Sequence, residues 1–392
     1  MSVEQIKAER IQNLIDAMNF KEPKKVPIGT EVQGWAYGYA GVRLKDILDD
    51  PVAASKAQTK YADDIQFDYF WGGGSVSGRP MKVLEAMGNQ MYEFADDGIT
   101  IMHNQSRIQF MSAEEYPELM SDRAAFVKKQ RRERNKTLQL PREQAYPRVI
   151  EALKHMRNHQ EAIRLSGEYF FNKKGIIVLT GGPVRYQNPL NDLFDHYRGI
   201  RDTLIDLRRR KDVVKKYYDM RIEQIKANIA QLNPADLGKP FPLINTIYHS
   251  ECFLTPELFD EFYFNDLRDI MMPFLQAGGK LFLKGEGAFL KILNRYRQLP
   301  KGSILIELDE DDPFEAHKII GDWQPIAAGI TLDLLQMGTK QQCIDFVKKS
   351  FDTFAPGGGY CFLGNKSLLS PKCAKPENII AVYETANKLA GN

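Results

Sequence analysis

Charged side chains stand at the end of an apolar segment that is typical of a buried strand. In the segment LFLKGEGAFL, residues 281–290, Lys284 and Glu286 lie two positions apart. Side chains of a strand alternate between its faces, so both share a face with Phe282, and leucines occupy the other. An ammonium and a carboxylate placed in this way form an ion pair or perform acid–base chemistry.

Two further apolar segments end in the same way. In SILIELDEDD, Glu307 and Asp309 lie on the face opposite the isoleucines, and NTIYHSE carries His249 just after its apolar part. Burying a lone charge is costly, so charges that converge at strand ends are either paired or functional. We predict that Lys284, Glu286, His249, Glu307 and Asp309 are catalytic. The alternative is an ion-pair cluster that only ties strands together.

The segments that hold these residues belong to a regular alternation of strands and helices. Eight short apolar runs predict strands, at 26–30, 67–71, 176–180, 243–248, 280–284, 304–308, 325–330 and 359–363. Helical periodicity separates most of them, for example at 258–278, 314–322 and 341–354. This alternation calls for parallel pairing, and eight such units predict a (β/α)₈ barrel, an α/β fold whose active site lies at the carboxyl ends of the strands.

The longest interval between predicted strands separates the second from the third. It contains MYEFADDGITIMHN, in which Asp97 and Gly98 stand between apolar runs and predict a hairpin turn. A charge-rich helical stretch follows, to about Phe171. No linker rich in Pro, Gly or Ser flanks this interval, so we predict one domain, 1–392, with an insertion at about 90–172.

Composition excludes several function classes. The chain has 392 residues with 27% charged residues of both signs and a net charge of +2, which favours neither nucleic acid nor an anionic membrane as partner. Four cysteines show no zinc-finger or CxxC spacing. The N-terminus has no continuous apolar segment typical of a signal peptide, and no later run is long enough to span a bilayer. We expect a cytoplasmic protein.

Several segments, in this order along nearly the whole chain, resemble the uroporphyrinogen decarboxylase superfamily. They are RIQNLIDAMNFKEPKKVPIG, VLTGGPV, HYRGIRDTLIDLRRRKDVV, LTPELFDEFYF, LPKGSILIELDEDDPFEAHKIIGD, LLQMGTKQQC, GGGYCFLGN and KPENIIAVYETA. The resemblance implies the same barrel fold. It also implies one of two activities, decarboxylation of a porphyrinogen or methyl transfer to or from a cobalt corrinoid.

The sequence departs from the true decarboxylases at the segment that binds porphyrinogen carboxylates. Those enzymes carry an arginine-containing RQAGRY segment, and the corresponding TEVQGWAYGYAG has no arginine before Arg43. Aromatic side chains cannot replace bidentate cations as carboxylate ligands. The resemblance is therefore closer to the corrinoid-dependent methyltransferases.

The sequence also departs from the zinc-dependent methyltransferases of that branch. Their LHxCG motif falls on residues 283–287, so that Lys284 and Glu286 replace the histidine and cysteine, and the distal cysteine falls near Asn365. Lysine, glutamate and asparagine do not form a thiol-activating zinc site. We expect no metal; a residual mixed site that uses His249, Glu286, Glu307 and Cys361 stays open, with zinc as the metal it could take.

Cleavage of a methyl ether remains as the chemistry that these residues fit. Lys284 would supply a proton or a positive charge to the leaving oxygen, with His249 as the second proton donor. An aromatic wall and nearby polar groups would bind the substrate, although packing beneath a loop would explain the aromatic residues equally well. The predicted substrate-binding residues are Trp35, Tyr37, Phe70, Trp71, Arg185, Tyr186 and Asn365.

These observations predict a methyltransferase that demethylates a small methylated substrate. The favoured substrate is an O-methyl aromatic compound. The methyl group would pass to Co(I) of a corrinoid (cobalamin) on a partner protein, because the chain has no DxHxxG corrinoid motif. One alternative is a cofactor-free decarboxylase of a small aromatic or pyrrolic acid. Another is a non-catalytic binding protein. Relatives in the family include homodimers, so the resemblance also allows a dimer.

Overall fold

Strands and helices alternate along the chain in a mixed α/β architecture. The computed structural model describes residues 1–70, 79–108, 110–179, 186–233, 243–248 and 250–391, with backbone alone for 105 and 243–248. The strands of this part are β1 Gly29–Thr30, β2 Tyr69–Phe70, β3 Tyr92–Phe94, β4 Ile101–His103, β5 Ile177–Val178, β6 Leu243–Tyr248, β7 Lys280–Gly285, β8 Ile304–Glu307, β9 Ile326–Ala328 and β10 Tyr360–Phe362.

Each of the eight predicted strands overlaps an observed strand. Five of them form a parallel sheet in the order β10-β9-β8-β7-β6, and β1-β2-β5 form a second parallel sheet. A parallel bridge between Ile28 and Phe362 connects the two sheets beside β1 and β10. The predicted parallel pairing is confirmed.

Helices connect most of the parallel strands. They are α1 Val3–Met18, α2 Trp35–Ala40, α3 Leu44–Ile47, α4 Pro51–Thr59, α5 Met81–Ala86, α6 Tyr116–Ser121, α7 Arg123–Arg134, α8 Arg142–Gly167, α9 Pro189–Asp192, α10 Ile200–Arg209, α11 Lys211–Ile229, α12 Pro256–Phe259, α13 Asn265–Gln276, α14 Leu290–Leu293, α15 Pro313–Ile320, α16 Leu332–Met337, α17 Lys340–Phe354 and α18 Pro376–Ala390. The three helical segments predicted between later strands coincide with α12–α13, α15 and α17.

Side chains alternate along the strands between two apolar clusters. One cluster contains Phe282 of β7, Leu305 of β8 and Cys361 of β10, together with Tyr69 of β2 and apolar residues of α1. The other contains the intervening side chains of the same strands, which pack against the helices. The strand faces predicted from the alternation are therefore confirmed, and the first cluster joins the two sheets.

The segment between β2 and β5 contains the predicted hairpin. β3 and β4 pair in antiparallel fashion, and Gly98 has φ +64° in the turn. The Asp97 carboxylate accepts hydrogen bonds from the backbone N–H groups of Ile99 and Thr100, both at 2.8 Å. Helices α6, α7 and α8 follow, so the turn chemistry of Asp97-Gly98 was read correctly from the sequence.

Two further predictions concern cysteines and membrane spans. The four cysteines lie in the described part of the chain and are free thiols. Within the described residues, helices that are long and apolar enough to cross a bilayer are absent.

Candidate functional site

The register of β7 and β8 places Lys284 beside Glu307. The two residues are direct Cα partners near the carboxyl ends of these parallel strands. Lys284 Nζ donates to Glu307 Oε1 over 2.9 Å, and Lys284 is only 7% exposed. Both side chains share the face of Phe282 and Leu305, so they extend the apolar cluster with charged groups at its carboxyl end.

A second carboxylate, that of Glu31, reaches the same ammonium from the end of β1. Lys284 Nζ lies 2.8 Å from Glu31 Oε1 and 2.7 Å from Oε2, and the Glu31 side chain is 4% exposed. Ser367 Oγ donates to Glu31 Oε2 at 2.5 Å. Leu368 N donates to the Glu31 carbonyl oxygen over 3.0 Å, which fixes the backbone that carries the carboxylate.

The electrostatics of this cluster change the proton affinities of Lys284 and Glu307. Burial raises the pKa of Glu307 well above its ordinary value, the Glu31 carboxylate raises it further, and Lys284 opposes both. Burial alone lowers the pKa of Lys284, but Glu307 and Glu31 outweigh burial and raise the pKa of the ammonium. Glu307 Oε2 is buried and has no hydrogen-bond partner among the described residues. The arrangement therefore keeps Lys284 charged and makes Glu307 a weaker acid than an exposed glutamate.

Asp309 lies two residues beyond the end of β8 and contacts the turn after β7. Its Oδ2 accepts from Gly287 N over 2.8 Å, and Lys366 Nζ lies 3.5 Å from its Oδ1. Burial raises the pKa of Asp309, against the opposing effects of Gly287 and Lys366. Gly287 has φ +107°, a conformation that favours glycine. Asp309 thus fixes the backbone beside the cluster.

Glu286, predicted to hold Lys284 in place, is not a partner of Lys284 among the described contacts. Glu286 is half-buried and lies one residue beyond the end of β7. The carboxylates that hold the lysine are those of Glu31 and Glu307. The strand ends at Gly285, so the alternation rule does not determine where the Glu286 side chain lies.

Asn365, predicted as a substrate ligand, uses its amide to connect loops. Its Nδ2 donates to the Asp309 carbonyl oxygen at 2.7 Å, and its Oδ1 accepts from Leu332 N at 2.8 Å. These bonds connect the chain segments after β8, β9 and β10. In this structure the Asn365 amide positions loops, and its predicted contact with substrate stays a prediction.

The described members of the predicted aromatic wall are buried in the core, and their contact with a substrate stays a prediction. Trp35 donates from Nε1 to the Ala374 carbonyl oxygen at 2.8 Å, and Phe70 packs edge-on against Phe170. Tyr37 belongs to a different apolar cluster, between α2 and α4.

The remaining predicted substrate ligands divide between core residues and positions that are not described. Tyr186 is buried, and its hydroxyl lies 3.5 Å from Asn188 Nδ2. Its predicted contact with substrate stays a prediction. Trp71, Arg185 and the predicted catalytic His249 lie outside the described residues.

Metal-ligating groups do not converge in the described part of the chain, where groups of three or more His, Cys, Asp or Glu able to hold a metal ion are absent. Of the four residues weighed for a mixed site, Cys361 faces the apolar cluster of the strands, and burial raises the pKa of its thiol. Glu307 is committed to Lys284.

Two members of the cluster, Glu31 and Ser367, were missed in the sequence. Glu31 directly follows the predicted strand 26–30, so the rule applied to Lys284 and Glu307 would have selected it. Ser367 follows β10 by several residues in a loop and carries no periodic signal. Its position depends on the parallel bridge between Val32 and Leu368.

The comparisons with known proteins concern the fold. No protein-family model matches the chain, and a search of curated proteins finds no match. Among solved structures, the chain is similar to a methyltransferase from Methanosarcina mazei, with 13% sequence identity and a TM-score of 0.55. The similarity covers 96% of this chain and 98% of that chain. The two proteins therefore share a fold over nearly their full lengths.

Proposed function

We propose that the chain is a corrinoid-dependent methyltransferase of the uroporphyrinogen decarboxylase superfamily. The fold similarity to the Methanosarcina mazei methyltransferase supports methyl transfer, and the ordered sequence motifs support the family. The substrate is a small methylated compound, and the favoured candidate is an O-methyl aromatic compound. The methyl acceptor is a Co(I) corrinoid carried by a partner protein.

The proposal includes a closed (β/α)₈ barrel. Eight parallel strands in two sheets, the Ile28–Phe362 bridge and the shared apolar cluster support it. The Tyr69 hydroxyl donates to the Phe362 carbonyl oxygen across the two sheets at 3.3 Å. A pairing of β5 with β6 would complete the closure.

The single observation that carries the proposed chemistry is the buried cluster of Lys284, Glu31 and Glu307 at the carboxyl ends of β7, β1 and β8. Polar groups at this end of parallel strands are typical of active sites in such barrels. The cluster also brings together, in one buried site, the ammonium of Lys284 as a cation and a carboxyl group that can carry a proton. Ether cleavage requires both.

The proposed reaction breaks the methyl C–O bond of the substrate and forms a Co–C bond. The electron pair of Co(I) attacks the methyl carbon, so cobalt is formally oxidised to Co(III). The electron pair of the C–O bond leaves with the oxygen as a phenolate or alkoxide. This oxygen then takes a proton, and the balanced products are an alcohol or phenol and methyl-cobalt.

The cluster assigns different tasks to its members. The raised pKa of Lys284 keeps the lysine charged, so it suits electrostatic stabilisation of the leaving oxygen better than proton transfer. Glu307 suits the proton transfer, because its pKa is raised by burial and its Oε2 has no partner among the described residues. Glu31 and Ser367 position the lysine.

An anaerobic assay with chemically reduced Co(I) cobalamin tests this function. The purified chain is incubated with methoxyarenes, methylamines or betaines, and methyl-cobalt formation is followed in the visible spectrum. We expect enzyme-dependent methylation from the methoxyarenes, with one phenol released for each methyl group transferred.

Two other results would contradict the proposal. Release of carbon dioxide from a carboxylated pyrrole or aromatic acid, without methyl transfer, would identify the cofactor-free decarboxylase. Absence of both reactions with a cognate corrinoid protein present, together with unchanged ligand binding by a Lys284→Ala variant, would identify a non-catalytic protein.

A further inference from the structure

Two arginines approach one buried carboxylate without a direct hydrogen bond to it. Arg123 Nη2, at the start of α7, and Arg221 Nη2, on α11, each lie 3.8 Å from Asp192 Oδ2 at the end of α9. A charge-assisted hydrogen bond between such groups is about 2.7–2.9 Å long. The two guanidinium groups are therefore held near each other, at distances from Asp192 that a bridging group suits better than a direct bond.

A buried hydroxyl group lies beside the same three side chains. Tyr217 of α11 is 0% exposed, and its hydroxyl has no hydrogen-bond partner among the described residues. Burial raises the pKa of this hydroxyl, Asp192 and Tyr197 raise it further, and Arg221 and Arg123 oppose the rise. The hydroxyl is therefore close to Asp192 and to both arginines.

The two arginines also have buried donors to spare. Nε of Arg123 and Nε of Arg221 are buried, and neither atom has a hydrogen-bond partner in the described part of the chain. Buried donors without acceptors are costly, and most such groups in native proteins are paired. Three donor side chains on two helices therefore point to a ligand that accepts hydrogen bonds.

The charge of Asp192 does not match that of the two arginines. Burial raises the pKa of its carboxyl group, Arg123, Arg221 and His196 oppose this rise, and Asp195 adds to it with the smallest of these effects. The pKa stays raised, so the arginines do not outweigh burial. An ionised Asp192 supplies one negative charge to two guanidinium groups, and a protonated Asp192 becomes a further donor. Both states favour an anionic ligand.

We propose that Arg123, Arg221 and Tyr217 bind an oxyanion beside Asp192, such as a sulfate ion or a phosphate group. The planar guanidinium fork matches the oxygen atoms of these anions, and a hydroxyl group adds a third donor. The Arg123 side chain is 36% exposed, so solvent reaches the site along this residue. A phosphate ester would extend outward past Arg123.

The bound anion would connect helices from two parts of the chain. Helix α7 belongs to the segment between β2 and β5, and α9 and α11 lie between β5 and β6. The oxyanion therefore stabilises the packing of the first segment against the second. The site contains none of Lys284, Glu31 and Glu307, so the inference is independent of the proposed methyl transfer.

Isothermal titration calorimetry with sodium sulfate tests the site, at an ionic strength kept constant with sodium chloride. The native chain is expected to bind one sulfate ion in a saturable manner. Arg123→Met should weaken this binding by at least about tenfold, because it removes charge-assisted hydrogen bonds. The matched control is Arg148→Met on α8, which removes the same charge from an exposed position and should leave the affinity unchanged.

Two further variants test the other side chains of the site. Tyr217→Phe removes only the hydroxyl group and should weaken sulfate binding by about two- to tenfold. Asp192→Asn removes the carboxylate charge and keeps a donor, so it should tighten sulfate binding. Circular dichroism checks that each variant is folded. Should Arg123→Met not fold, Tyr217→Phe and Asp192→Asn still test the site.

Several outcomes would overturn the proposal. They are heat signals that do not saturate with the native chain, equal affinities of the native chain and Arg123→Met, and weaker sulfate binding by Asp192→Asn. Titration with glycerol 3-phosphate then separates two sources of the oxyanion. An affinity equal to that of inorganic phosphate supports a free ion, and a higher affinity supports the phosphate group of an organic ligand.

Discussion

Lys284 contacts two buried carboxylates, those of Glu31 and Glu307. Its removal therefore affects stability as well as chemistry. Lys284→Met leaves Glu31 and Glu307 without their cation, and we expect it to lower the free energy of unfolding by about 3–5 kcal/mol. Denaturant unfolding measures this change. Lys366→Met is the control, because its contacts with Asp309 and Glu310 lie near solvent, and it should cost about 1 kcal/mol or less.

A second substitution separates lost pairing from lost packing. In Lys284→Met/Glu307→Gln, one of the two stranded carboxylates can no longer ionise, so part of the lost stability should return. If the double variant is as unstable as the sum of the single variants, the coupling between Lys284 and Glu307 is absent and the ion-pair description is wrong.

Glu307 makes stability dependent on pH. Burial raises its folded-state pKa, so the folded chain binds this proton more tightly than the unfolded chain. The corresponding stability is complete below the ordinary glutamate pKa of about 4.3 and is lost as the pH rises toward the folded value. Relative to Glu307→Gln, the native chain should therefore lose free energy of unfolding as the pH rises above the ordinary glutamate pKa of about 4.3.

Unfolding curves at several pH values check this difference. Glu310→Gln, which removes a mostly exposed carboxylate from the same loop, should follow the native profile. Parallel profiles for the native chain and Glu307→Gln would contradict the raised pKa.

At the scale of residues, the sequence predicted the cluster in part. Strand alternation placed Lys284 and Glu307 on one face, and the register of two adjacent parallel strands then brought them together. To identify Glu31, the same strand-end rule has to be applied to β1, which is far from β7 and β8 in sequence. Trp35 and Phe70 are buried in the apolar core, and the sequence could not distinguish this from an aromatic wall, because an aromatic side chain suits both.

At the scale of elements, a buried glutamine holds the start of β8. Gln324 Oε1 accepts from the backbone N–H groups of Ser303 and Ile304, and Nε2 donates to the carbonyl oxygens of Tyr296 and Pro300, all within 3.0 to 3.1 Å. Gln324→Ala leaves these buried groups unsatisfied. We expect it to lower the free energy of unfolding by about 3 kcal/mol.

Thermal or denaturant unfolding measures the effect against Gln341→Ala on α17. Gln341 is exposed and contacts only Asp345 in the described structure, so its loss should change stability by less than about 0.5 kcal/mol. Equal effects of the two substitutions would mean that Gln324 does not support β8.

The elements themselves were largely predictable, because their signals are local. The eight parallel strands arise from short apolar runs, and the β3–β4 hairpin arises from Asp97-Gly98, whose side chain and φ suit the turn. The Gln324 contacts were not predictable. They join the loop before β8 to Gln324, which lies two residues before β9, and a lone glutamine carries no periodic signal that reveals this.

At the scale of the whole molecule, a buried charged cluster and an exposed apolar stripe lie in different parts of one fold. The charged cluster lies at the carboxyl ends of β7, β1 and β8, and the apolar stripe, formed by Tyr146, Ile150 and Leu153, lies on α8, within the segment between β2 and β5. The alternation of strands and helices predicted the class of fold. The exposure of Tyr146 and Leu153 was not predictable, because the same residues would also suit a buried helix face.

The most direct test of the proposed function compares methyl transfer by Lys284→Met with that by Lys366→Met, under conditions in which both are folded. If Lys284 stabilises the leaving oxygen, folded Lys284→Met should form methyl-cobalt at least about 100-fold more slowly than the native chain, and Lys366→Met should match the native rate. A folded Lys284→Met variant that transfers methyl groups at the native rate would contradict a catalytic role and leave the cluster as a structural ion pair.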